Sequence, residues 1–383
     1  MPGTGATPEW SLLLAACSAI PPKAKTDRIR ELLRGPVEWK SLFELADRHG
    51  TQPLLYAALS DIADEVPPEP MHSLQQSCQS NTVKALLVSR ELIRIVERLT
   101  ELGIDVMPYK GPALAEVVYA DIALRKSGDI DLLIRPQDLG RVRDAVGQLG
   151  YRPHLHLSAA EGRAYLKSGY ELAFDGAAGP NLLEVQWAIQ PRFYAIDFDM
   201  AGIFRRGVTV PVAGRSMKTP SLEDLFLILL VHAAKHVWAR LVWLCDLARL
   251  MSMPTLDWNW IAQEASELGI VRVLQVTMAL ANRLLGAAIP QLALEIFPAD
   301  SESAAITEGI LKQYPGDADV ESLAYFRLMA RLRERRADQM RLAWRLIVTP
   351  GLSEWRSVRL PAPLFPLYRL VRLSRLAARL ARP

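Results

Sequence analysis

The sequence predicts an α+β protein in which a small mixed β-sheet is flanked by N- and C-terminal helical regions. Three observations carry this. Up to about residue 103, apolar residues recur at three- and four-residue intervals, as they do on helix faces. Between residues 104 and 189 the pattern breaks into short apolar or alternating runs bounded by glycine and proline, which mark strands. From Ser221 onward helical spacing returns. The implied organisation is a helical region over 1–103, an α/β core over 104–215, a helical domain over 216–350 and a basic amphipathic tail over 351–383.

A chain of 383 residues, half of them apolar and 23% charged, is long enough for two or three domains with ordinary cores. The formal charge of +3 argues against dedicated duplex binding. Cys17, Cys78 and Cys245 lie far apart, which excludes a CxxC motif and fits a reducing compartment. The apolar run 11-SLLLAACSAI-20 follows Glu9 instead of basic residues, a poor signal peptide. The run 225-LFLILLV-231 is too short to span a bilayer. A soluble cytoplasmic protein is expected.

The elements follow in order. In 83-VKALLVSRELIRIVERLTELGI-104, Leu86, Leu87, Leu92, Ile95, Val96 and Leu99 keep helical spacing, and Gly103 fits a C-cap. The prolines of 66-VPPEP-70 mark a turn before it. The segment 104-IDVMPYK-110 reads as a strand. After it 112-PALAEVVY-119 reads as a helix with Pro112 at its first position. Next come the strand in 125-RKSGDIDLLIRP-136, a proline-opened helix over 136–150, and strands near 170–174 and 182–189. Ser221 with Asp224 resembles a capping box ahead of a strongly apolar helix, and charged helices follow near 321–346.

The strand holding Asp129 and Asp131 poses the chemical question. Residues two apart on a strand share a face, so the two carboxylates project together and repel unless a proton or cation lies between them. An oxygen-only pair suits Mg²⁺, which takes one or two carboxylates together with waters and substrate phosphates. The plainer alternative is a half-exposed edge strand whose acids meet Arg125 or Arg135. Upstream, a strand ends at Lys110 and a helix begins at once after Gly111. That turn offers close backbone approach, free N–H groups and positive charge to a phosphate, and Arg125 adds a fork of donors. In 182-LLEVQWAI-189 alternation sets Glu184 and Gln186 on one face, and Glu184 is the lone carboxylate of an apolar strand. It fits a third metal-binding acid, or simply a surface acid.

The pattern Lys-Gly, a short helix ending in tyrosine, then Arg-x-x-x-Asp-Ile-Asp-Leu-Leu, resembles the polymerase beta-like nucleotidyltransferase fold. Within it, the sequence resembles the bacterial uncharacterised nucleotidyltransferases, which are similar to aminoglycoside nucleotidyltransferases. The resemblance covers roughly residues 105–250, including 182-LLEVQWAI-189 and 232-HAAKHVWARLVWLCDLARL-250. Two departures stand out: Lys110-Gly111 where Gly-Gly is usual, and Gln186 where histidine is usual. The resemblance implies a nucleotidyltransferase α/β core that moves a nucleoside monophosphate from a nucleoside triphosphate, ATP first among candidates, to a hydroxyl of a small molecule or peptide. It implies two Mg²⁺ ions on Asp129, Asp131 and Glu184, with Lys110, Gly111 and Arg125 on the nucleotide. Nucleotidylation of RNA or protein by a toxin-like enzyme, and a non-catalytic nucleotide-binding scaffold, are the alternatives.

Two further features stay open in the sequence. His232 and His236 share a helix face, compatible with core packing or with a surface closing over substrate; Asp246 is placed to hydrogen-bond a histidine. The tail 369-RLVRLSRLAARLARP-383 lines arginines 369, 372, 375, 379 and 382 beside Leu370, Leu373, Leu376 and Leu380. Such a stripe fits an anionic membrane surface or nucleic acid. It fits equally a docked helix whose leucines pack while arginine stems snorkel.

Overall fold

The structure, a computed structural model, describes residues 7–126, 128–176, 182–314, 316, 322–358 and 360–380. Four helices open the chain: α1 (Pro8–Cys17), α2 (Pro22–Leu33), α3 (Trp39–Arg48) and α4 (Gln52–Ser60). Leu12 and Leu13 of α1, Leu42 of α3 and Leu55 of α4 are fully buried in one core. The long α5 (Pro68–Glu101) follows. Its 34 residues span about 50 Å at the helical rise. The chain turns at Pro67, and Pro68 and Pro70 lie in the first turn, where a missing N–H costs nothing. The C-terminal half of α5 buries Val88, Leu92, Ile95 and Leu99. Leu86 and Leu87 keep the same spacing but face solvent with Val83.

The sheet combines β1 (Val106–Pro108), β2 (Asp129–Ile134), β3 (Arg152–Pro153), β4 (Glu171–Asp175) and β5 (Leu182–Gln186) in the order β1-β2-β5-β4-β3. Only β2 and β5 run parallel, so the sheet is mixed. Helices α6 (Gly111–Tyr119), α7 (Leu139–Gln148) and α8 (Ala159–Ser168) connect the strands. Pro112 is the second residue of α6, one place later than the sequence predicts, because Gly111 already has the first helical position. Ile130, Leu132, Ile134, Leu183, Val185 and Phe174 form one buried face, packed on α5 and α7. The period of two puts Asp129, Asp131, Glu184, Gln186 and Glu171 on the other.

After α9 (Met200–Arg206), a hairpin of β6 (Val208–Val212) and β7 (Arg215–Thr219) appears that the sequence reading did not anticipate. Its two-residue loop, Ala213-Gly214, has both φ angles positive, as a turn matched to strand twist requires. Helices α10 (Leu222–Lys235), α11 (Leu241–Met251), α12 (Trp258–Leu268), α13 (Val271–Leu285), α14 (Gln291–Ile296) and α15 (Ser301–Leu311) complete the core begun by α1–α4. Ser221 caps α10 by accepting from the Asp224 N–H, but the Asp224 carboxylate is taken by Arg206 at 2.7 Å. The three cysteines are free and buried. Distant in sequence, Cys17 and Cys245 lie close enough that Cys17, with burial, pushes the Cys245 thiol well above its ordinary range.

Helices α16 (Leu323–Arg331), α17 (Arg336–Val348), α18 (Leu352–Ser357) and α19 (Tyr368–Leu380) end the described chain. The tail docks, and its described leucines Leu370 and Leu373 take no part in the contact. Trp355 and Tyr368 stack with centroids 4.2 Å apart, and Trp355 meets Tyr165 of α8 edge-on. Arg372 is buried and ion-paired to Glu354, whereas Leu370 and Leu373 face solvent. Among the described residues, aromatic packing and a buried ion pair hold the tail. Arg382 and the side chains of Leu376, Arg379 and Leu380 lie outside the described residues.

Candidate active site

The register of β2 against β5 builds the site. Asp131 lies directly beside Glu184, and the next same-face pair along is Leu133 with Gln186. Asp129 stands at the exposed start of β2, while Asp131 is 7% exposed at its floor. Lys110, the last residue before α6, reaches across to Asp131 with Nζ 3.1 Å from Oδ1. Gln186 organises the floor: its Oε1 accepts from the Tyr109 hydroxyl at 2.6 Å. Its Nε2 donates to Glu184 at 3.2 Å and toward Asp131 at 3.4 Å. The Tyr109 bond fixes which end of the amide faces the acids.

These groups perturb one another strongly. Burial first, then the Asp131 and Glu171 carboxylates, push the Glu184 carboxyl up to about 8. Burial and Asp131 likewise raise Asp129. For Lys110, burial opposes the charge, but Asp131, Tyr109 and Glu184 outweigh it and hold the ammonium above its ordinary range. Clustered carboxylates this short of positive charge, all presenting oxygen, suit a hard divalent cation. Among the described residues no group of three or more His, Cys, Asp or Glu side chains is placed to hold a metal ion by itself. Mg²⁺ does not demand one, since it keeps waters and takes substrate phosphates as ligands.

Gly111 starts α6 with φ +56°, and a Cβ there would come within 3.0 Å of the Asp129 carbonyl oxygen. The turn between β1 and α6 therefore lies against the strand that carries both aspartates, and only glycine fits both demands.

Arg125, expected on the nucleotide, pairs with Asp246 here. It is buried, and its Nε donates to both Asp246 carboxylate oxygens at 3.0 and 3.2 Å. The Tyr119 hydroxyl donates to the same carboxylate at 2.7 Å. Asp246 therefore serves Arg125 and Tyr119 and not a histidine, tying α6 and the approach to β2 onto α11. His232 and His236 pack against each other with tilted rings, centroids 5.0 Å apart, and against Trp243, His232 edge-on and His236 tilted. Burial, reinforced by Lys110 and Lys235, pushes both imidazoles down, His236 to about 3. Neutral packed rings are what remain.

The sequence reading missed two charged groups. Glu171 pairs in register with Gln186 and so faces the site; burial raises its carboxyl. Lys235, at the end of α10, lies 5.7 Å from the centre of the Tyr170 ring. Burial, then repulsion from Lys110, lowers it. Glu171 was legible as the lone acid alternating into 170-YELAF-174. Lys235 was masked by the two histidines around it.

A family profile described as uncharacterised nucleotidyltransferase matches residues 35–286. The crystal structure of ANT(2")-Ia in complex with adenylyl-2"-tobramycin is similar at 18% identity, over 51% of this chain and 97% of that one, with a TM-score of 0.29. A nucleotidyltransferase-like protein from Paracoccidioides brasiliensis is similar at 15% identity, over 55% and 97%, with a TM-score of 0.35. No curated protein matches the sequence. Among the described residues no helix is long and apolar enough to cross a membrane. With more than half its length matched, the chain belongs to the uncharacterised nucleotidyltransferase family.

Proposed function

We propose that this nucleotidyltransferase transfers a nucleoside monophosphate from a nucleoside triphosphate, with ATP the expected donor, to a hydroxyl of a small molecule or peptide. The observation that carries the reading is the Asp131–Glu184 register, with Asp129 on the same face; burial, then the Asp131 and Glu171 carboxylates, push the Glu184 carboxyl up to about 8.

In this reading Asp129 and Asp131 ligate two Mg²⁺ ions, and Glu184 ligates the one on the acceptor side or takes the acceptor's proton. When bound, the ions neutralise the triphosphate and align the in-line displacement. The chain's own groups do the rest. Gly111 and the N–H groups after it face the β- and γ-phosphates at the start of α6. Lys110, now on Asp131, has a phosphate as its alternative partner. A carboxylate held near the working pH is well matched to accept a proton from a hydroxyl. Gln186 keeps Glu184 aimed, and Arg125 acts through Asp246 by holding the segment ahead of Asp129.

The test is thermal stability with each nucleoside triphosphate, with and without Mg²⁺, for the native chain and for Asp129→Asn/Asp131→Asn. At about a hundred times its dissociation constant a ligand adds roughly 2.7 kcal/mol. Stabilisation that needs Mg²⁺ and vanishes in the double variant is expected. Equal stabilisation of both proteins would refute the site.

A further inference from the structure

A second concavity adjoins the carboxylates. It is a cleft of about 600 Å³ between the sheet's β4 side and the C-terminal segment, within the size range of small-molecule sites. Tyr170, Phe193 and Phe326 give it apolar walls, and Glu171, which faces the carboxylates, also lines it. Arg356, Arg372 and Arg375 line it as well, Arg372 lying 5.1 Å from the centre of the Phe193 ring. Arg372 and Arg375 converge on the buried Glu354, both at 3.4 Å, so this acid is already compensated. Arg356 is exposed and makes no ion pair or hydrogen bond among the described residues. The cleft therefore runs from aromatic walls to an uncompensated guanidinium.

Its place in the fold matters as much as its chemistry. The β1–α6 turn, which the proposed function gives to the triphosphate, flanks β2 on one side; β5 and β4 lie on the other. In an in-line displacement the acceptor oxygen attacks opposite the departing pyrophosphate. It must therefore arrive from the side of Glu184 and beyond it, where Glu171 opens into the cleft.

We infer that this cleft binds the acceptor, and that the acceptor is a hydroxyl-bearing molecule with a flat apolar ring and an anionic group, carboxylate or phosphate. The ring lies among Tyr170, Phe193 and Phe326, and the anion meets Arg356. A polycation is disfavoured by the same arginines. The outer wall comes from residues 351–375, beyond the family-matched 35–286, so this specificity belongs to the chain's own C-terminal segment. The inference rests on the proposed function for the direction of attack, but binding in the cleft does not depend on transfer.

The test measures binding to the full chain without nucleotide, by ligand-observed NMR at millimolar concentration. The probes are hydroxyphenylpropionate, hydroxybenzylphosphonate and, as the same ring with inverted charge, tyramine. Either anion should bind, tyramine should not, and Arg356→Glu should weaken the anion roughly tenfold. Whichever anion binds tells carboxylate from phosphate. In the same variant, ATP-dependent stabilisation should be unchanged. Failure of both anions, equal binding of tyramine, or anion binding indifferent to Arg356→Glu would overturn the inference. So would a loss of ATP binding in that variant, which would make the cleft part of the nucleotide site. Failure of ATP to bind the native chain would count against the proposed function and leave the probe results standing.

Discussion

Replacing Glu184 with glutamine tests the crowding on which the site reading depends. The exchange is nearly isosteric. A glutamine there can accept from Gln186 and donate to Asp131, so the hydrogen bonds survive while the charge conflict goes. In the folded chain the carboxyl titrates near 8, against an ordinary 4.5. Between those values the native state holds a proton that the unfolded state lacks, so native stability falls as pH rises through the window. Each pH unit of displacement is worth ~1.4 kcal/mol, which sets a ceiling of about 5 kcal/mol. Asp131 and Glu171 share the repulsion, so Glu184 alone carries about half of that, ~2 kcal/mol. At roughly 2 °C per kcal/mol for a chain of this size, the variant should melt about 4 °C above the native protein at pH 8. Near pH 4.5 the two should coincide. Differential scanning fluorimetry from pH 4.5 to 9 measures this directly. Adding Mg²⁺ at pH 8 should narrow the gap, because a cation relieves the same conflict in the native protein. A gap that is independent of pH, or a variant less stable at pH 8, would show that the three acids are not crowded and would remove the basis for a metal-binding cluster.

Other perturbations reach different parts of the site. Gly111→Ala forces a Cβ against the Asp129 carbonyl at positive φ; it should cost about 1–2 kcal/mol in urea unfolding and weaken nucleotide-dependent stabilisation. Arg125→Met leaves Asp246 buried with Tyr119 alone, and the expected loss is ~3–5 kcal/mol. A loss under ~1 kcal/mol in the same unfolding measurement would return Arg125 to the nucleotide-binding set. His232 and His236 should show no imidazole titration by NMR between pH 5 and 8, because burial keeps both neutral; a midpoint near 6.5 in either would refute their packed role.

Much of this protein was fixed locally and so could be read from the chain. Period-two alternation alone sets Asp129 with Asp131 and Glu184 with Gln186 on common faces. A glycine opening α6, with two residues between it and β1, was legible as a tight strand-to-helix turn, though its closeness to the Asp129 carbonyl was not. Helical spacing placed the C-terminal half of α5 and the apolar α10, since each element's pattern is its own. What tertiary structure decided were the partnerships, which depend on which surfaces meet. Nothing near Arg125 in sequence announces Asp246, 121 residues away, yet that pair ties the segment ahead of β2 to α11. Leu86 and Leu87 face solvent because the buried stripe of α5 runs through Ala85, Val88, Ser89 and Leu92 on another face of the helix. The tail's stripe of arginine and leucine is amphipathic whichever side packs; only the aromatic contacts of Trp355 and Tyr368 and the buried Glu354 decide that Arg372 turns inward. The displaced carboxyl of Glu184 arises the same way, because burial and neighbouring charge are properties of an environment assembled from four separate stretches of chain.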